Sequence, residues 1–166
     1  CYVIENGFLV GTSAGIFSPD MTMNRAMLVQ VLWTIEDKPK PTGKIVFTDV
    51  NADAWYANAV NWALESGIVA GYPDGRFGPD DNLTREQIAA ILWRYARYKG
   101  ADVSSGEDSN ILSFGDAEST SEYAIPAIQW ATAEGIITGK PGHLLDPLGK
   151  ATRAVVAAML RRFLGK

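Results

Sequence analysis

The sequence predicts an all-α fold made of three helix-loop-helix repeats, and three observations lead there. The first is repetition. The stretch GIVAGYPDGRFGPDDNLTR, from Gly67 to Arg85, returns without gaps 60 residues upstream and 68 residues downstream. Each outer copy agrees with the middle one at 7 of 19 positions, where unrelated segments of ordinary composition would agree at about 1. Gly67, Gly71, Pro79 and Arg85 keep their identity in all three copies. The second observation is periodicity, since apolar residues around each copy recur at i, i+3, i+4 and i+7 rather than alternating. The third is capping: Asn24, Thr84 and Thr152 each stand where a helix would begin. One such unit cannot cover its own apolar face, so the three must bury theirs against one another. Closure around a pseudo-threefold axis, with three similar grooves between neighbours, is the expected arrangement.

The elements follow in order. Repeat 1 (residues 1–38) opens on the remnant Tyr2-Val3-Ile4, stops at Gly7 and runs through a loop to Asn24. Its helix, about 25–35, buries Leu28, Val31, Leu32 and Ile35. Pro39, Pro41 and Gly43 break any helix and make 37–44 a linker. Repeat 2 (44–100) is the complete copy. Phe47-Thr48-Asp49-Val50 leads to a helix over about 55–66 with Asp53 as candidate cap, Tyr56, Val60, Ala63 and Leu64 inward, and Gly67 as its stop. Pro73-Asp74-Gly75 reads as a tight turn. Thr84 and Gln87 then form a capping box before the stripe Ile88, Ile91, Leu92 and Tyr95. Gly100 to Ser113 is a polar connector and the expected flexible loop. Repeat 3 (111–166) echoes this from Phe114, with a helix over about 122–134 and a last helix burying Val155, Val156, Met159, Leu160 and Phe163.

Composition narrows the function. With 47% apolar and 20% charged residues the chain can bury a core, and its net charge of −4 argues against a nucleic-acid partner. No apolar run reaches the length of a membrane span. Cys1 is the only cysteine, which excludes an internal disulfide and a cysteine metal cage. A first-position Cys could carry the lipid of a bacterial lipoprotein, but alignment sets it in the second half of a helix, which favours a chain cut there. No cofactor is expected. Asp49-Val50-Asn51-Ala52-Asp53 imitates the start of a calcium loop, yet Ala54 and Val60 stand where Gly and Glu are required. His143 has no partner ligand at metal spacing, and no hydrolase or phosphate-loop motif occurs, so an enzyme is not expected.

Two patterns carry candidate chemistry. Arg25, Arg85 and Arg153 each occupy the first position of a helix, where the helix dipole disfavours a cation. A helix N-terminus bearing an arginine is a ready anion site; alternatively each Arg pairs with a carboxylate such as Asp20 or Asp80. Trp62 and Trp130, with Tyr2 in repeat 1, share one helix position two residues beyond an apolar stripe residue, about 200° around the helix. An exposed ring there would suit a sugar face; alternatively the rings fill the space between repeats.

Phe47-Thr48-Asp49-Val50, Trp55-Tyr56, Gly67-Ile68-Val69-Ala70-Gly71-Tyr72-Pro73-Asp74-Gly75, Phe77, Pro79 and Leu83-Thr84-Arg85-Glu86-Gln87 together resemble the S-layer homology domain, over nearly the whole chain as three tandem copies. The resemblance implies a three-pronged spindle that anchors bacterial surface proteins non-covalently, outside the cell, in the cell wall or S-layer. Its implied partner is secondary cell-wall polysaccharide, often bearing pyruvate ketals, bound in grooves between repeats. The family's Thr-Arg-Ala-Glu-type motif falls on Thr84 to Gln87, Asn24 to Met27 and Thr152 to Val155, with the arginine kept in each. Gly71, Tyr72, Asp74 and Gly139 join the three arginines and three aromatics as candidate ligand-binding residues. The runner-up is a self-assembly module, since an incomplete first repeat would expose apolar surface around Val3 and Ile4.

Overall fold

The three long helices of this protein begin where a side chain accepts from an otherwise unpaired backbone N–H. The computed structural model describes residues 16–44, 46–107 and 109–165. Five α-helices lie among them: α1 (Arg25–Ile35), α2 (Ala57–Glu65), α3 (Arg85–Tyr98), α4 (Ile125–Ala133) and α5 (Arg153–Leu164). Asn24 and Thr152 accept from the N–H groups of Met27 and Val155, and Thr84 and Gln87 complete the expected capping box. Gly67 and Gly135 close α2 and α4 with φ of 67° and 66°, a conformation that disfavours any Cβ. Among the described residues there is no β-strand, only isolated bridges. The fold is all-α.

Two expectations about the short helices need correction. Asp53 does not cap α2. Asn51 accepts the Asp53 N–H at 3.0 Å in a local turn, and the helix starts only after Tyr56, without a side-chain cap. Likewise residues 122–124 form a 3₁₀ turn leading into α4, whose first turn holds Pro126. The connector is also more built than expected. Its turn Ser104–Gly106 packs on α4, and a Cβ on Gly106 would lie 2.6 Å from the Trp130 backbone nitrogen.

The repeats interlock in sequence order. α1 of repeat 1 packs on α2 of repeat 2, and α3 of repeat 2 packs on α4 of repeat 3. At the N-terminal ends of the long helices three buried residues share a closed ring of backbone bonds. Met23 N–H donates to Ala151 at 3.0 Å, Ala151 to Leu83 at 2.9 Å, and Leu83 back to Met23 at 2.9 Å. The first two N–H groups of each long helix are met by the next copy's loop. Arg25 and Ala26 donate to Asp81 and Pro79, Arg85 and Glu86 to Gly149 and Pro147, and Arg153 and Ala154 to Met21 and Pro19. Repeat 3 thus returns to repeat 1. At the opposite end Tyr95 lies between Tyr98 and Phe163, with ring centroids 6.3 and 5.7 Å away.

Candidate functional site

The site is built from a loop tied down by one carboxylate. Asp49 accepts the N–H groups of Phe77 and Gly78, both at 2.8 Å. That fixes the Phe77 carbonyl, which accepts Arg25 Nε from the preceding repeat at 2.8 Å, while the Ala70 carbonyl accepts the same guanidinium at 3.2 Å. The guanidinium lies 5.0 Å from the Tyr72 ring centroid and 4.9 Å from that of Phe77, within cation–π range of both. Gly71 lets the loop close on the Phe47 ring, since a Cβ would run into that ring and lie 2.9 Å from the Arg76 carbonyl oxygen. The calcium-like start at Asp49 is therefore a loop tie. Among the described residues no group of three or more His, Cys, Asp or Glu could hold a metal ion.

The second junction repeats this with other side chains. Asp116 accepts from Leu145 and Asp146 at 2.7 Å each, and Arg85 donates to the carbonyls of Leu145 at 2.8 Å and Thr138 at 3.2 Å. At the third, Arg153 Nε donates to Phe17 at 2.9 Å, with the guanidinium 5.0 Å from that ring.

Both sequence expectations for the arginines change in detail. Arg25 and Arg85 are buried against backbone carbonyls, and neither forms an ion pair among the described residues. The helix ends offer no anion the usual donors. Their first two N–H groups go to neighbouring carbonyls and the third to the cap side chain. A cation at the first helical position is tolerated because carbonyl oxygens of the next repeat surround it. Burial pulls the Arg25 guanidinium below its ordinary value, opposed by Tyr72 and then Asp81.

Exposure of the tryptophans is overturned. Trp62 and Trp130 are 4% and 3% exposed. The 200° argument assumes one buried face, whereas α2 buries Ala57, Ala59, Val60, Asn61, Trp62 and Ala63 around nearly its whole circumference. Trp62 meets Tyr98 edge-on at 5.8 Å and Trp130 meets Phe163 at 6.1 Å, so each ring packs against the long helix of its own repeat. Tyr2 lies outside the described residues. Asp74 sits exposed in its turn, paired with Arg76 at 2.8 Å, and Gly139 packs near the Phe114 ring at the second junction.

Three of the candidates meet at one cavity, while Arg85 and Arg153 lie at the other two junctions. Arg25, Gly71 and Tyr72 line a groove of 350 Å³ together with Gln87, Arg94 and Tyr123. Arg94 and Tyr123 escaped the sequence reading. Gln87, Ala90 and Arg94 follow i, i+3, i+7 spacing and mark a face of α3 beside the core stripe, which overshadowed it. Tyr123 comes from repeat 3 and nothing local to repeat 2 foretells it. Arg94 makes no hydrogen bond or ion pair among the described residues, so its charge is available to a ligand. Burial, and then the Glu86 carboxylate, push the Tyr123 phenol up to about 12. It therefore stays a neutral donor at ordinary pH.

Comparison with known proteins supplies the context. The S-layer homology domain model matches residues 46–89 and 113–154. The chain is 29% identical over 161 residues to the cellulosome-anchoring protein of Acetivibrio thermocellus, covering 95% of this chain and 35% of that protein. It is 29% identical over 163 residues to the surface-layer 125 kDa protein of Lysinibacillus sphaericus, covering 96% and 13%. It is 32% identical to an amylopullulanase of Thermoanaerobacterium thermosulfurigenes over 90% of this chain but only 8% of that enzyme. The chain thus spans a minor part of each of these much longer relatives. With the repeat signature, the model match and the all-α fold in agreement, this chain belongs to the S-layer homology domain family.

Proposed function

We propose that this chain is a non-catalytic cell-wall anchoring module of a bacterial surface protein. It holds an anionic, pyruvylated secondary cell-wall polysaccharide in the groove beside Arg25. The observation that carries this is one cavity lined by two guanidinium-bearing residues, Arg25 and Arg94, between the phenols Tyr72 and Tyr123. A ketal carboxylate suits the cations, and a pyranose C–H face suits the rings. Relatives that anchor a cellulosome or form a surface layer support the general role. The closed ring of Met23, Leu83 and Ala151 supports a pseudo-threefold arrangement of the repeats, with the domain boundaries taken as 1–38, 44–100 and 111–166.

Isothermal titration with purified wall polysaccharide, before and after removal of pyruvate, tests the reading. Equal affinity for both would sink the ketal mechanism. Arg94→Gln, which breaks no hydrogen bond among the described residues, should weaken binding by about 10-fold, as for one lost charge-assisted contact, and leave the melting temperature in place.

A second reading, self-association, rests on α5. The position held by fully buried Ala26 on α1 is exposed on α5 as Ala154. This open face borders a cavity of 720 Å³ lined by Phe17, Ala157, Ala158 and Arg161. Sedimentation that stays monomeric at rising concentration would exclude it.

A further inference from the structure

Glu86 is a carboxylate buried to 3% exposure in the first turn of α3, and its partners all lie in repeat 3. One oxygen accepts the Ser121 N–H at 3.0 Å. The other accepts the Ser121 hydroxyl at 2.8 Å and the Tyr123 hydroxyl at 3.1 Å. Tyr123 is 53% exposed and lines the groove that holds Arg25 and Arg94. From this juxtaposition we infer that Glu86 is a positioning residue. It holds the Tyr123 ring and hydroxyl over the Arg25 groove and makes that groove, of the three, the high-affinity site for an anionic sugar. The inference rests on the polysaccharide reading above and adds which groove binds and what sets its affinity.

The other two junctions lack the device. Ala26 and Ala154 occupy the positions of Glu86 on α1 and α5. Trp55 is the counterpart of Tyr123 in repeat 2, 68 residues earlier. It is 60% exposed and packs edge-on to Tyr56 at 5.1 Å, and the preceding repeat carries Ala26 at the position of the Glu86 carboxylate. A ring tethered at its hydroxyl loses less freedom when a ligand docks than one that swings, and this raises affinity without a new contact. The tether also explains the buried charge. Three donors satisfy Glu86, so it need not pair with a cation and leaves Arg25 and Arg94 to the ligand.

The test uses the whole chain and a defined probe, a methyl hexopyranoside with a 4,6-linked pyruvate ketal, with the ketal-free hexoside as control. Calorimetry on wild type, Glu86→Ala, Tyr123→Phe and the double variant forms a cycle. Glu86→Ala introduces the residue that α1 and α5 carry at this position. Each single variant should weaken binding by about 5- to 10-fold, the scale of one lost hydrogen bond. The double variant should be no weaker than either single one, because both cut the same tether. Glu86→Gln, able to hydrogen-bond the same hydroxyls, should stay within about 2-fold of wild type. If Glu86→Ala fails to fold by circular dichroism, Tyr123→Phe and Glu86→Gln decide alone. Wild-type affinity in Tyr123→Phe, or additive losses in the cycle, would overturn the positioning role while leaving the polysaccharide reading intact. Failure of the wild type to prefer the ketal would overturn both.

Discussion

The junctions at Arg25 and Arg85 use the same bonds for different ends. In each, an aspartate ties the next repeat's loop through two backbone N–H groups, and that loop offers two carbonyls to the arginine at 2.8 and 3.2 Å. The side chains then diverge. Arg25 lies against Tyr72 and Phe77, whereas Lys140 and Leu145 hold those positions beside Arg85. The joint between repeats is thus written in backbone acceptors, and the recognition surface in the side chains laid over it. A surface can therefore change from groove to groove without dismantling the joint.

Removing each arginine should give the largest effects and separate the two roles. Arg25→Ala and Arg85→Ala each strand two carbonyls, which should cost about 3 kcal/mol in denaturant unfolding. Arg25→Ala should cost about 1 kcal/mol more, because two ring contacts go with it. Only Arg25→Ala should also abolish binding in the Arg25 groove. Equal loss of binding in Arg85→Ala would break the distinction between joint and surface.

The glycines sharpen the comparison at smaller scale. Neither Gly71 nor Gly139 has a positive φ, so space rather than backbone conformation requires them. A Cβ at Gly71 meets both the Phe47 ring and a backbone oxygen, which cannot swing aside. At Gly139 it meets the edge of Phe114 at 2.9 Å and the nearest backbone oxygen only at 3.6 Å. Gly71→Ala should therefore lose about 2 kcal/mol and Gly139→Ala about 1 kcal/mol or less by thermal unfolding.

Much of the fold was legible because caps and stripes are local. Asn24, Thr84 and Thr152 mark the long helices directly, and Gly67 and Gly135 mark the ends of the short ones. The site was less legible because its parts come from different repeats. Periodicity could locate Trp62 on α2 but not show that neighbours enclose that helix almost completely. The arginines stood out by position, yet their acceptors are carbonyls, which no residue type advertises. Glu86 entered the sequence reading only as one letter of the Thr84–Gln87 motif, whose capping box is Thr84 with Gln87, and only its bonds to Ser121 and Tyr123 show what it holds.

The smallest predicted effect concerns the two aspartates. For Asp49 and Asp116 burial works to raise the pKa, but the backbone N–H bonds at each loop outweigh it and hold both carboxyls below the usual range. A carboxyl lowered on folding stabilises the protein at pH values above its unfolded pKa, near 4, and loses that contribution as pH falls through the lower folded value. Stability should therefore be flat above about pH 5 with respect to these groups and decline below about pH 4. Asp49→Asn and Asp116→Asn should each remove part of that decline, to similar extents, because each keeps one acceptor oxygen and discards the titrating charge. Urea unfolding at a series of acidic pH values reads this directly. Similar losses of slope would mean that the joints are energetically alike and that the difference between the junctions lies in their surfaces; a loss confined to Asp49→Asn would place the difference in the joint itself.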